Sequence, residues 1–249
     1  MTSKYTDIRS AVNQELSSIV ENYFIKRTCV ISFMTEIGPK SGTANVIERN
    51  GKKYLLTCHH VYDEAIKYSK AICTSQSGKI LFSKMKHIYS SKSDKLDFTI
   101  LDFPLETKYA FPWNNFVQVP RVPKHVGFLT IGFPGDYLTK NGENKFSIKP
   151  LKYWTTVSSI KSISKYRFQV YLDYDKKLKN TDISTGTNLP DVPGMSGSLV
   201  VVPREILKGQ IWSPEEIDIV GIVTGWDLES VQPSVIKATR GNWMRRYWK

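Results

Sequence analysis

Cysteine is scarce in this chain of 249 residues, with Cys29, Cys58 and Cys73 the whole complement. An odd, widely spaced set contains no C-x-x-C pair, which excludes a zinc ribbon and a thioredoxin-type redox site. It also excludes a framework of several disulfides, and that points to a reducing compartment. Long apolar runs are missing too. No stretch approaches the roughly 18 apolar residues of a membrane-spanning helix. Between Met1 and Phe24, the polar residues Gln14, Glu15 and Glu21 break any signal-peptide core. The expectation is a cytoplasmic protein without a membrane span. Low-complexity segments and repeats of convincing period are absent. Hydrophobic residues at 41% and charged residues at 23% describe an ordinary globular protein, not a disordered one. At this length a core can stand without disulfide or metal, and neither a metal site nor a cofactor is expected.

Acidic residues are also in short supply, 23 against 35 lysines and arginines, for a net charge of +12. Such an excess favours an acidic partner, whether nucleic acid, an anionic membrane surface or a protein. The lysines are dispersed and form no block, so solvated surface is the preferred reading and nucleic acid is disfavoured.

Helical periodicity is confined to the start. Ile8, Val12, Leu16, Ile19, Val20 and Tyr23 recur at intervals of three and four, which predicts an amphipathic helical arm within residues 1–27. The arm either braces its own domain or docks on another chain, and the brace is preferred. From Thr28 the period shortens. Strand candidates are Cys29 to Phe33, Thr43 to Glu48, Tyr54 to Thr57, Lys79 to Phe82, Phe98 to Leu101, Val126 to Ile131, Tyr153 to Ser158, Phe168 to Leu172, Ser198 to Val202 and Ile217 to Thr224. Asn50-Gly51 is a hairpin signal between two of them. Many short strands separated by turns imply an all-β barrel or sandwich. Residues 112–123, with three prolines, read as a linker between two β halves.

Three short motifs carry chemistry. Leu55-Leu56-Thr57-Cys58-His59-His60-Val61 is an apolar strand ending in a histidine pair. Leu96-Asp97-Phe98-Thr99-Ile100-Leu101 places an aspartate at the start of a strand. Pro193-Gly194-Met195-Ser196-Gly197-Ser198-Leu199 sets a serine in a glycine-flanked turn that leads into a strand. A serine hydroxyl becomes a useful nucleophile only when an imidazole accepts its proton. The imidazole in turn needs a carboxylate to fix its tautomer. Glycines permit a tight turn whose amides converge on one point, where an oxyanion can sit. An α/β-hydrolase esterase fails on order, since that fold needs Ser before Asp before His.

These motifs, in the order His, Asp, Ser, resemble the trypsin/chymotrypsin-like serine peptidases, particularly the shorter bacterial and viral branch with the HtrA-type enzymes. The resemblance covers roughly Cys29 to Gln232. Gly42-Thr43-Ala44-Asn45-Val46 resembles the glycine-led strand before the histidine. Ile131-Gly132-Phe133-Pro134-Gly135 resembles the opening of the second barrel, and Ile219 to Thr224 the strand that pairs with bound peptide. The resemblance implies an all-β fold of two antiparallel six-stranded β-barrels after the N-terminal helix. Residues 28–249 would be the peptidase domain, with barrels at about 28–111 and 124–249. It implies Ser196 as nucleophile, His60 rather than His59 as base, and Asp97 as the orienting carboxylate. The Gly194 and Ser196 amides would form the oxyanion hole. Thr224 either hydrogen-bonds the aspartate or is a plain strand residue. Gly225-Trp226 reverses the usual aromatic–glycine order, so Trp226 either narrows the specificity pocket or turns into a loop or the core. Asp191 stands one residue from the position that confers basic preference. Met195 replaces the aspartate that grips a cleaved N-terminus in secreted relatives, so packing, a partner or substrate must order the oxyanion loop. The expected function is an intracellular serine endopeptidase of restricted specificity, acting on a protein or peptide, with activation by a protein partner in view. The alternative is a non-catalytic module that uses the basic surface to bind nucleic acid or an acidic protein.

Overall fold

The strand-forming segments sort into two main sheets. The computed structural model describes residues 22–93, 96–117, 128–135, 138–140, 146–155, 169–174, 194–203, 217–227 and 234–248. The first sheet contains β1 (Thr28–Thr35), β2 (Gly38–Arg49), β3 (Lys52–Thr57), β4 (Ile72–Ser75), β5 (Gly78–Leu81), β6 (His87–Ser93), β7 (Leu96–Asp102) and β8 (Phe111–Pro112). Its order is β5-β4-β1-β2-β3-β7-β6, with β8 pairing parallel to β2 and every other pair antiparallel. The second half opens with β9 (Phe128–Gly132) and a separate hairpin of β10 (Leu138–Lys140) and β11 (Phe146–Ile148). It continues with β12 (Leu151–Thr155), β13 (Gln169–Tyr174), β14 (Leu199–Pro203), β15 (Ile217–Asp227) and β16 (Ser234–Arg240). There the antiparallel order is β12-β9-β14-β15-β16-β13. Two short helices are described over their whole length, α1 (His59–Ala65) and α2 (Gly241–Tyr247).

Two closed six-stranded barrels were the expectation, and the described residues give something coarser. The first sheet has eight strands. No ladder among the described residues joins β5 to β6 or β12 to β13. The physical reason is that alternation of apolar residues specifies which face of a strand is buried. Closure depends instead on tilt and stagger, which the pattern does not encode.

Local chemistry explains the elements that position the site. The β2–β3 hairpin turns at Asn50 and Gly51, both at positive φ (52° and 75°), the requirement of a type I′ turn. From Gly42 to Ile47 every residue of β2 is buried. One face of the strand carries Ala44 and Val46 into the core; the alternate positions, Thr43 and Asn45, are buried polar residues that bond to the turn at Gly194 and Gly197, ahead of β14. The core runs through both sheets, from Phe24, Ile31 and Leu55 to Leu129, Leu199 and Ile219.

Of the helical arm, residues 22–25 are described and helical, while the rest of the expected stripe lies outside the described residues. Tyr23 and Phe24 are buried and stack edgewise and tilted against Phe111, at 6.0 and 5.2 Å between ring centres. The segment read as a linker begins at Pro112 in β8 and continues as a 3-10 turn at Trp113–Asn115. Its Phe116 then bridges to Ile219 of β15. Residues 118–127 lie outside the described set.

Candidate active site

β3 delivers the histidine pair. Leu55, Leu56 and Thr57 are buried, Cys58 remains extended, and the chain then turns into α1. No side chain at the Cys58 cap position bonds the first turn of this helix. A carboxylate from the neighbouring strand does so instead. Asp97 lies on β7, which pairs with β3 (Thr57↔Thr99), and its Oδ1 accepts the His60 backbone N–H at 3.1 Å. Its Oδ2 lies 2.5 Å from His60 Nδ1. An ionised carboxylate can only accept, so Nδ1 is the donor, and in the neutral imidazole Nε2 then keeps its lone pair. The His60 side chain is about half exposed, at 49%, whereas Asp97 is mostly covered.

His59 is differently employed. Its Nδ1 meets Thr99 Oγ1 at 3.1 Å, and its Nε2 pairs with Asp63 one turn along the helix at 3.1 Å. Thr99 Oγ1 is bonded in turn to Ser90 Oγ, at 2.6 Å, and that oxygen lies 2.8 Å from His87 Nε2. Both His59 nitrogens thus serve structure, which leaves His60 as the histidine facing solvent beside the aspartate.

The serine turn is fastened from below. Gly194 and Gly197 flank it at φ of 95° and 97°, values that favour glycine. Carbonyls around the turn are taken up one after another. Thr43 Oγ1 donates to Gly194 O (2.8 Å), the Thr43 amide to Ser196 O (2.9 Å), and Asn45 Nδ2 to Gly197 O (2.6 Å). The Gly197 amide donates to Val223 O at 2.8 Å. No hydrogen bond among the described residues uses the Gly194 or Ser196 amide. Close approach explains the glycines beyond their φ angles. A Cβ on Gly197 would sit 1.8 Å from Thr43 O, and one on Gly132 would sit 1.8 Å from Ser198 Oγ. Met195 is 1% exposed and packs beneath the turn.

The seam between the sheets brings the two halves together at Val223 O, which also accepts from Cys58 Sγ at 2.9 Å. Burial pushes the Cys58 thiol well up, the Asp97 charge acts in the same direction, and the nearby Gly197 amide opposes weakly. Cys58 is therefore a protonated donor at neutral pH. Cys58, His60 and Asp97 each place one donor atom within 4.8 Å of the others, so their number would suit a metal ion. Among the described residues no hydrogen bond joins Ser196 Oγ to His60, whose side chain bonds Asp97.

Thr224 and Gly225 lie half-buried on β15, at a bulge in its pairing with β16. A Cβ on Gly225 would meet nothing within 4 Å. β14 registers with β15 only as far as Leu199↔Ile222, while β15 runs on to Asp227. Trp226 pairs through its backbone with Ile236, but its side chain lies outside the described residues, as does Asp191. Sequence reasoning missed Thr43, Asn45 and Cys58. The available signal was polar residues at alternate positions of an otherwise apolar strand, where a half-buried sheet would expose them and a strand buried on both faces must bond them.

No family model matches the chain, and no curated protein matches it in sequence. Solved structures do. The HtrA-type protease AlgW with a tripeptide superposes with a TM-score of 0.54 at 13% identity, covering 92% of this chain and 61% of that one. A serine endoprotease from Yersinia pestis gives 0.54 at 13%, covering 92% and 64%. The serine protease domain of the Sesbania mosaic virus polyprotein gives 0.50 at 14%, covering 90% and 92%. This chain therefore spans less than two thirds of the first two proteases and most of the viral domain. At such identities the likeness is one of fold, and the fold is that of the trypsin-like serine proteases.

Proposed function

We propose that the protein is a serine endopeptidase of restricted specificity that works through Ser196, His60 and Asp97. The observation that carries the reading is the His60 Nδ1–Asp97 Oδ2 contact of 2.5 Å, made by a half-exposed imidazole at the seam where the Ser196 turn is fastened. In the proposed cycle His60 Nε2 removes the Ser196 hydroxyl proton as Oγ attacks the scissile carbonyl. Asp97 stabilises the imidazolium that forms. The carbonyl oxygen, now an oxyanion, is received by the Gly194 and Ser196 amides. His60 then protonates the leaving amine as the C–N bond breaks, and an acyl group remains on Ser196. Water enters, gives its proton to His60 and attacks the ester; the acid product leaves and Ser196 recovers its proton. The peptide would lie as an added strand along β15 beyond Val223, where β14 no longer runs beside it. The setting proposed for this activity is the reducing, cytoplasmic one expected from the few, widely spaced cysteines.

An activated ester tests the mechanism. Acylation should outrun deacylation and release about one leaving group per enzyme in a burst, and Ser196→Ala should abolish it. A folded protein that shows neither burst nor turnover would favour the non-catalytic module.

A further inference from the structure

The hairpin end of β3 lies away from His60, and β3 has six residues, roughly 20 Å at about 3.3 Å each. At that end is a cleft of about 320 Å³ lined by Arg49, Asn50, Trp113, Asn114, Arg245 and Trp248. Three separate segments converge to build it: the β2–β3 turn, the 3-10 turn after β8, and the end of α2. Trp113 and Trp248 are 5% and 8% exposed and pack edge to face at 4.8 Å, forming an apolar floor. The Arg49 guanidinium lies 4.6 Å above the Trp248 ring, and its Nη1 donates to Trp248 O at 3.1 Å. Arg245 donates through Nη1 and Nη2 to Asn114 O and Oδ1, each at 3.4 Å.

Both guanidiniums are thus oriented by neutral oxygens and keep spare donors, since each has five N–H groups. Neither forms a salt bridge with a carboxylate among the described residues. Glu48, the acid adjoining Arg49 in sequence, is engaged by Lys53. Complementing the end of α2 would account for Arg245, but it gives no reason for Arg49, which belongs to another element. Two pre-oriented cations with no carboxylate partner among the described residues, set over an apolar floor, attract an anion more strongly than the same charges in open water. The planar fork of arginine matches phosphate oxygens in pairs, and the Asn50 and Asn114 amides add neutral donors. The volume is at the lower end of the usual range for small ligands, about 300–1,000 Å³.

We propose that this cleft binds a phosphate group, gripped between Arg49 and Arg245, separately from the peptidase site. The phosphate belongs to a free anion or to the backbone of single-stranded nucleic acid, and titration distinguishes the two. Inorganic phosphate and a single-stranded oligouridylate are titrated in turn, with tryptophan fluorescence and calorimetry as readouts. The Arg49→Ala/Arg245→Ala double variant should weaken binding by at least about tenfold, as loss of charge-assisted bonds does. Lys79→Ala/Lys84→Ala removes the same charge from exposed positions elsewhere and should leave affinity nearly unchanged. Loss of phosphate binding alone identifies a free-anion site. Loss of oligouridylate binding, with a log–log salt slope shallower by about 1.4 for two phosphate contacts, identifies a nucleic-acid backbone site. Arg49→Lys/Arg245→Lys keeps the charge, removes the forks and should also weaken binding, which preserves the test if the alanine variant does not fold. The proposal is overturned if wild-type protein binds neither probe, if both arginine variants bind as wild type, or if the lysine control loses as much.

Discussion

In the proposed mechanism Ser196, His60 and Asp97 act as a set, so variants at each should fail together. Ser196→Ala and His60→Ala should each cost orders of magnitude in peptidase rate. Asp97→Asn should cost about 10⁴ by stabilising the wrong tautomer. His59→Ala should retain most activity and lose stability instead, because its ring bonds Thr99 and Asp63. Peptide hydrolysis alongside thermal melts separates these outcomes; a dead His59→Ala with an active His60→Ala would reverse the assignment. Cys58 gives a pH prediction. Its folded pKa is raised by burial and by Asp97, so the folded state holds the thiol proton more tightly than the unfolded chain does. The stabilisation is intact below the unfolded value of about 8.5 and is lost as pH rises above it, by up to about 1.4 kcal/mol per pH unit for one group. Melting temperatures of Cys58→Ala should therefore fall less steeply through the alkaline range than those of wild type.

At the scale of elements, β2 holds the serine turn in place. Asn45→Ala removes the donor to Gly197 O and leaves that buried carbonyl short of a partner, at a cost of about 1–3 kcal/mol. Urea melts should show this, together with a fall in kcat. The histidine, aspartate and serine segments were legible because each is local, a few residues whose order alone carries meaning. The turn at Asn50-Gly51 was legible for the same reason. α1 and α2 were not. Cys58 and Arg240, their cap residues, make no side-chain cap bond, so the usual start signal is absent, and each helix is only seven residues long. β6, with the sequence His87-Ile88-Tyr89-Ser90-Ser91-Lys92-Ser93, has too few apolar residues to stand out, and β7 recruits it by pairing. The arm belongs to this scale as well. Tyr23 and Phe24 pack on Phe111, which favours the brace; deleting Met1 to Tyr23 should lower the melting temperature by a few degrees, as about 1–2 kcal/mol does at this size. An unchanged melting temperature with loss of a co-purifying partner would favour docking.

At the scale of the whole molecule, two sheets meet at a seam that hydrogen bonds cross at Thr43, Asn45, Cys58 and Val223. The buried Met195 offers no charge for a new N-terminus to grip, so the site should be competent without proteolytic processing. Fluorophosphonate labelling of the full-length protein, read by intact mass and peptide mapping, tests this most directly. The predicted result is one adduct per chain on Ser196, abolished by Ser196→Ala and reduced by orders of magnitude in His60→Ala. An unlabelled folded protein, or an adduct that persists in Ser196→Ala, would contradict it.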